Sequence, residues 1–177
     1  MQLFEALKRR RAHRNYLPDA VPREAIDKVL YAFSRAPTAS NRPYRHVILV
    51  DDPRVIKAIH QVHPALLANA PVLLVIFTDV AVATARTGPV GELSSLIDAG
   101  AAGENVLLAA TALGLGSQFT MISHQAGIRV VLGLPGHCRV DLIMPLGVPV
   151  ARESSVTSPR SGNTVHHNQF GVTYDLS

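Results

Sequence analysis

Basic side chains crowd one short stretch near the start of the chain, where Lys8, Arg9, Arg10, Arg11 and Arg14 fall within seven positions. A guanidinium can bind a phosphate through two parallel hydrogen bonds, so this spacing could bring two or three such groups to one ligand. Three interpretations fit the stretch. It is a solvated helix end whose cations favour the negative pole of the helix dipole, an arm that binds nucleic acid, or a pocket for a phosphate and an electron-rich ring. The residue types alone leave all three open.

Histidine and cysteine offer little further chemistry. His60 and His63 are three residues apart on a predicted helix, but no third ligand accompanies them, which is typical of neighbouring solvated histidines and not of a metal site. His137 precedes Cys138 in the sequence, and adjacent side chains of a strand diverge, so we do not expect a nucleophilic pair there. The sequence contains no Walker loop, no Gly-x-Ser-x-Gly, no His-Glu-x-x-His and no dinucleotide fingerprint. We therefore predict no metal site and no catalytic side chain.

Composition narrows the class of protein. The 177 residues fit one domain spanning 1–177, and an apolar share of 47% excludes a disordered chain. Charged residues make up 17%, below the ~25% of an average soluble domain. So little charge predicts that a second copy of the chain covers part of the surface. The net charge of +4 is lower than strong nucleic-acid binders carry.

The sequence also supports an expectation about the cellular location of the protein. The single cysteine allows no disulfide within the chain, so nothing indicates an oxidising compartment. The N-terminal apolar stretch is too short for a signal peptide, and the longest apolar run, 106–113, is well below the ~20 residues that cross a bilayer. We expect a cytoplasmic protein without a membrane segment.

Hydrophobic periodicity predicts the elements that must position the basic stretch, which follows a short helix with Leu3, Phe4 and Leu7 on one face. The helices are predicted at about 22–35, 53–61, 65–69, 93–113 and 124–132, and the strands at 46–50, 72–77, 117–122 and 140–146. The residue types predict a polar loop at 37–43 and a mobile connection at 84–91. They predict a polar tail at 150–177 that could end in an edge strand at 170–174. The helix at 93–113 is apolar nearly all round, which predicts burial.

Six motifs in this order resemble the FMN-dependent nitroreductases. They are residues 10–16 (RRAHRNY), 36–44 (APTASNRPY), the central helix and strand start 98–117, the turns 132–135 (LGLP) and 146–149 (LGVP), and the C-terminal residues 159–171 with Pro159, Arg160 and Ser161. None of these motifs is very specific alone. Their order and spacing, which run from about residue 3 to 174, carry the resemblance.

The resemblance implies an α+β fold of three layers, in which helices flank a central, mostly antiparallel sheet. It also implies a homodimer with FMN at the subunit interface, a long buried central helix, and a tail, 150–177, that reaches over the partner. NAD(P)H would donate electrons, and a nitroaromatic, a quinone or a similar small molecule would accept them in a ping-pong mechanism. The flavin would carry the hydride chemistry, which agrees with the lack of a catalytic acid or base in the sequence.

The resemblance also assigns flavin contacts residue by residue. Arg10 matches a cation near the phosphate, and Arg14 one at the pyrimidine edge of the ring. The remaining contacts are Arg11 and Ala12 beside them, Pro37, Thr38, Ala39 and Asn41 in a loop laid on the flavin by the partner subunit, Thr120, Met121 and Ile122 along the ring, and Arg160 at the phosphate.

This sequence departs from the family pattern at several points. Ala12 stands where serine is usual, Glu104 where glutamine is common, and the loop at 41–44 is one residue short. The flavin contacts of Arg42 and Arg152 stay open for that reason. Two other functions remain: a flavin-binding relative that stores or senses flavin without turnover, and a nucleic-acid binder that uses residues 8–14.

Overall fold

Six helices, five strands and one 3₁₀ turn build the residues that the computed structural model describes, which are 1–85, 87–150 and 165–174. The helices are α1 (Leu3–Arg9), α2 (Arg23–Ser34), α3 (Pro53–Val62), α4 (Val80–Thr84), α5 (Pro89–Ala112) and α6 (Gln125–Leu132), and the 3₁₀ turn is Ala39–Asn41. Within these described ranges, no helix has both the length and the apolar character that crossing a membrane requires.

An antiparallel sheet forms the centre. The strands are β1 (Arg45–Val50), β2 (Val72–Asp79), β3 (Gly116–Ser117), β4 (Thr120–Met121) and β5 (Cys138–Gly147). β2 pairs with β1 on one side and with β5 on the other, and β5 also pairs with the short strands β3 and β4. The two short strands therefore lie along one outer side of the sheet.

The alternation of side chains along β2 explains the three layers. Val72, Leu74 and Ile76 point into a core shared with α2 and α5, whereas Leu73 and Val75 point into a second core shared with α3 and α6. All five are at most 4% exposed, as expected of a strand covered on both faces. The predicted α+β fold with helices on both faces of a central sheet is confirmed.

Helix α5 has apolar side chains both on the face that packs into the core and on the face that is exposed. Ala102, Val106 and Ala110 are fully buried. A Cβ on Gly103 would lie 2.5 Å from Cε1 of Phe119, so only glycine lets this aromatic ring rest on the helix. The opposite face exposes Val90, Leu93 and Ile97 by 62 to 66%, which leaves an apolar stripe uncovered in the single chain.

Several sequence predictions differ from the structure. No helix forms at 65–69, and the predicted strand at 117–122 is split into β3 and β4. The predicted connection at 84–91 contains the end of α4 and the start of α5, which begins at Pro89. Residues 165–174 do not form an edge strand but turn back on themselves, with one isolated bridge between His166 and Thr173.

A buried polar network joins α5 to the sheet. The Nε of Arg139 donates to Oδ1 of Asp141 over 2.6 Å, and its Nη2 donates to Oγ of Ser95 over 2.8 Å. The hydroxyl of Thr78 donates to the other oxygen of Asp141 over 2.6 Å. Burial raises the pKa of the Asp141 carboxyl, while these bonds from Thr78 and Arg139 act in the opposite direction. The carboxylate thus holds together groups from two strands and one helix.

We expect Asp141→Asn to lower the free energy of unfolding by about 2 kcal/mol, because the amide cannot replace two charge-assisted hydrogen bonds in a buried site. Chemical denaturation with urea measures the change. The control is Glu92→Gln, since Glu92 meets the same Arg139 at 3.5 Å from an exposed position. The control substitution should lower the free energy of unfolding by less than about 0.5 kcal/mol. Equal losses in the two variants would contradict a special role for the buried carboxylate.

Candidate functional site

The basic stretch leaves α1 and runs along β3. Arg10 caps the helix through a hydrogen bond from its backbone N–H to the carbonyl of Ala6, 2.8 Å long. Ala12 then forms a parallel bridge with Ser117, and the backbone N–H of His13 donates to the carbonyl of Ser117 over 3.3 Å. A Cβ on Gly116 would lie 2.9 Å from Cβ of His13, so glycine at this position permits the close approach.

The three arginines of the stretch have different surroundings. The Nε of Arg10 lies 3.4 Å from Oε1 of Glu104 on α5. The Nη1 of Arg11 donates to the backbone carbonyls of Lys8 and Arg10, each over 2.9 Å, so this side chain folds onto its own segment. The exposed Arg14 guanidinium has no hydrogen bond or ion pair to any residue of the described ranges. Arg14 is therefore the cation best placed to receive an anionic ligand.

Strands β3 and β4 bring the predicted ring contacts to the same side of the sheet. Ser117 pairs with Leu146 and Thr120 with Ile143, both on β5, so the basic stretch on β3 and residues 120–122 are neighbours. Met121 exposes 82% of its surface, whereas Thr120 is buried and its hydroxyl has no partner among the described residues. Ile122 packs against the core beneath α3 and α6. The edge thus offers backbone and one large apolar side chain to a flat ligand.

The loop of the second motif lies elsewhere on the same chain. The backbone N–H of Ala39 donates to Oδ2 of Asp98 over 2.7 Å, which fixes the loop to α5. Glu104, which holds Arg10, is six residues further along this helix, or about 9 Å at 1.5 Å per residue. Pro37, Thr38 and Asn41 occupy the same loop as Ala39. The loop and Arg10 are therefore anchored to α5 six residues apart, and Arg160 and Arg152 lie outside the described residues.

The prediction of two solvated histidines is wrong for His63. Its ring is fully buried, with Nδ1 3.2 Å from Oγ of Ser123, and the same hydroxyl is 2.9 Å from Nδ1 of His124. His63 ends α3 as its cap residue, which turns the ring inward, while His60 one turn earlier is half-buried. In the described part of the chain, no cluster of three or more histidine, cysteine, aspartate or glutamate residues could hold a metal.

Burial lowers the pKa of His63, and the nearby His124 and His60 add to this shift. An unfolded histidine has a pKa near 6.5, so below that pH the unfolded chain binds a proton that the folded chain excludes. Stability should therefore fall as the pH drops from about 6.5 towards the lower pKa of the folded state.

The variant His63→Gln should lose less stability as the pH falls below about 6.5, because it lacks the group that takes up the proton on unfolding. Urea unfolding at pH 7.5, 6.5 and 5.5 measures the slope. His60→Gln changes a half-buried histidine of the same helix and should keep most of the pH dependence, because burial, the largest cause of the lowered His63 pKa, remains. The same slope in both variants would show that His63 is not the source.

A spacious cavity lies away from the residues of the basic stretch. It encloses about 700 Å³ between the segment after Tyr16 and helix α3, with Val21, Ile56 and Pro71 in its walls and Lys57 at its side. No sequence motif pointed to it, because its walls come from apolar residues of the core layers. The candidate site is instead an open edge that a second chain could complete.

Comparison with known proteins identifies the family of this chain. The model of the nitroreductase family matches residues 7–63 and 59–148. A Methanothermobacter thermautotrophicus protein, named as a candidate NADH dehydrogenase/NAD(P)H nitroreductase, is 34% identical over 155 residues, or 84% of this chain and 78% of that protein. A Thermus thermophilus protein named NADH dehydrogenase is 28% identical over 178 residues and matches 80% of this chain and 83% of its own length.

Solved structures agree with these sequence matches. An FMN-dependent nitroreductase from Clostridium difficile superposes with a TM-score of 0.80 at 26% identity, covering 94% of this chain and 99% of that chain. A nitroreductase-like protein from Desulfovibrio desulfuricans, solved in complex with FMN, gives a TM-score of 0.74 at 26% identity over 90% of this chain and 93% of its own. With the family model matching most of its length, this chain belongs to the nitroreductase family.

Proposed function

We propose that this protein is an FMN-dependent oxidoreductase that oxidises NADH or NADPH and reduces a nitroaromatic, a quinone or a similar small acceptor in a ping-pong cycle. Three facts support the proposal: the family membership, the FMN complex of the Desulfovibrio structure, and the NAD(P)H-linked names of the relatives. The observation that carries it is the exposed Arg14 guanidinium, which has no partner among the described residues and follows the bridge that joins Ala12 to Ser117 of β3.

The residues present fit a flavin nucleotide. The donor set is cationic: Arg10, Arg11 and Arg14 lie within five positions, and Glu104 is the carboxylate that meets them, at 3.4 Å from Arg10. A phosphate needs such guanidinium donors. In our assignment Arg10 lies near the phosphate with Arg11 and Ala12 beside it, and Arg14 meets the pyrimidine edge. The backbone of Thr120, Met121 and Ile122 follows the ring, and Arg160 adds a phosphate contact.

FMN, when bound, would supply two-electron redox chemistry at its ring. The chain's own contribution is then electrostatic and geometric. Arg14 would stabilise the negative charge that reduction places at the pyrimidine edge, which makes reduction easier. The exposed edge of β4, with Met121 at its surface, would leave the opposite side of the ring open to the donor and the acceptor in turn.

The proposed active form is a homodimer with a flavin at each side of the interface. The apolar stripe of Val90, Leu93 and Ile97 on α5 is the surface that a second copy would cover. In our assignment the loop with Pro37, Thr38, Ala39 and Asn41 would contact the flavin of the partner subunit. The tail 150–177 would extend over the partner in the same assembly.

An anaerobic visible spectrum tests the proposed function. The purified protein, or protein given FMN, should show the yellow flavin bands, and these should bleach on addition of NADH or NADPH and return when a quinone is added. A protein that binds FMN and is bleached by neither donor would instead be a flavin-binding relative without turnover. A colourless protein that ignores added FMN would overturn the proposal.

A further inference from the structure

Helix α5 carries one carboxylate that organises the loop of the second motif. Asp98 is 8% exposed, and its Oδ2 accepts the backbone N–H of Ala39 over 2.7 Å and also the hydroxyl of Tyr44. Burial and this bond raise the pKa of Tyr44 to about 12, so the phenol stays a hydrogen-bond donor at neutral pH. The carboxylate thereby binds the loop at its 3₁₀ turn and again where the loop enters β1.

Arg45, the first residue of β1, closes the loop from the other side. Its Nη1 donates to the carbonyls of Pro37 and Asp98 over 2.8 and 3.1 Å. Its Nη2 donates to the carbonyls of Ala36 and Phe33 over 3.0 and 3.4 Å. The Phe33 carbonyl, in the last turn of α2, also accepts the N–H of Ala36 over 3.3 Å, so the guanidinium adds a donor where the helix ends.

The network holds the loop in one particular shape. Asn41 has a φ of 50°, in the left-handed region, which asparagine adopts more readily than other non-glycine residues. The contacts from Asp98 and Arg45 come from outside the 3₁₀ turn and span both of its sides. Together with the backbone bond from Asn41 N–H to the carbonyl of Thr38, they fix the shape of the loop.

We infer that Asp98, together with Tyr44 and Arg45, is a positioning residue that shapes the loop of residues 37–41 for the flavin of the partner subunit. The inference rests on the proposed function, because it takes the flavin to lie between two chains. Helix α5 would then serve both sites of the dimer: Glu104 holds Arg10 for the flavin of its own chain, and Asp98 holds the loop for the other.

The first test measures FMN affinity in homodimers by quenching of flavin fluorescence. Asp98→Asn should weaken binding at least about tenfold, because a neutral amide cannot replace a carboxylate that accepts two hydrogen bonds. Tyr44→Phe and Arg45→Lys should weaken it in the same direction, and they carry the test if Asp98→Asn does not fold. The control is Asp141→Asn, a buried acid that contacts α5 through Arg139 and not the loop; it should lose stability but keep its affinity.

The second test asks which flavin the loop serves. Subunits with Arg14→Ala and subunits with Asp98→Asn, each with its own affinity tag, are co-expressed and the mixed dimer is isolated. If Asp98 acts on the partner's site, both defects fall on one site and the other is fully wild type. The mixed dimer should then bind one FMN at a concentration that leaves both variant homodimers largely empty. Tyr44→Phe replaces Asp98→Asn in this design if the latter does not fold.

The outcomes separate the inference from the proposed function. Wild-type protein that does not bind FMN, or binds it as a monomer, would refute the proposed site itself. Wild-type protein that binds FMN as a dimer, together with loop variants of unchanged affinity, would refute only the positioning role. A mixed dimer as empty as its parent homodimers would show that Asp98 acts on the flavin of its own chain, which overturns the inference.

Discussion

Ile97→Asp is expected to dissociate the proposed homodimer and with it to abolish flavin binding. Ile97 is 65% exposed in the single chain and lies on one face of α5 with Val90 and Leu93, which are 66% and 62% exposed. Steps of three and four residues place these side chains in one stripe along the helix. In a two-fold symmetric dimer the stripe meets its own copy, so each substitution introduces two carboxylates into one apolar interface.

The expected weakening of the dimer is at least about a thousandfold, since each buried unpaired charge costs several kcal/mol. Sedimentation equilibrium measures the association, and FMN titration of the same sample measures the loss of the site. The control is Val130→Asp: Val130 is 82% exposed on α6, outside the stripe, and the change should leave the dimer intact. An Ile97→Asp protein that stays dimeric and binds FMN would place the interface elsewhere.

Arg14→Ala should raise the dissociation constant for FMN about a hundredfold, a change that corresponds to roughly 2.7 kcal/mol. The Arg14 guanidinium has no hydrogen bond or ion pair within the described ranges, so its charge is available to the ligand. The midpoint potential of the bound flavin should become more negative as well, because the cation that stabilises the reduced form is gone. Titration with FMN and a spectroscopic redox titration measure the two effects.

Two further variants make the result specific. Arg14→Lys should recover part of the affinity, since it keeps the charge but loses the bidentate geometry. Arg9→Ala removes a cation from the same basic stretch whose Nη2 pairs with Glu5 at 2.5 Å, and its affinity should stay within about twofold of wild type. An unchanged affinity and potential in Arg14→Ala would remove Arg14 from the flavin site.

Local patterns predicted most elements because their causes are local. Helix α3 follows from the Asp52 cap, whose side chain accepts the N–H of Arg54, with Pro53 in the first turn. The strand at 72–77 follows from its continuous apolar run, and the structure extends it only to Asp79. In each case the pattern that identifies the element lies within a few residues, so the sequence alone contains it.

The wrong predictions occur where a distant partner decides the backbone. At the predicted helix 65–69, the N–H of Asn69 donates to the carbonyl of Arg14, and its side chain accepts the N–H of Tyr16. The predicted strand 117–122 is interrupted because the register of β3 and β4 on β5 would place Gln118 opposite Pro145, which has no N–H to donate. No periodicity within these segments reports such partners.

The sequence by itself determined the family, the apolar central helix and the types of residue available for a flavin, because motif order and hydrophobic period are properties of the chain. Only the tertiary structure decided which of these groups are free and what holds them. It folded the Arg11 side chain onto its own backbone, paired Arg10 with Glu104, and left the Arg14 guanidinium without a partner in the described residues. It also brought Asp98 to Ala39 and Tyr44, more than fifty positions away. Such pairings depend on how the layers pack, and packing joins residues whose separation along the chain carries no local signal.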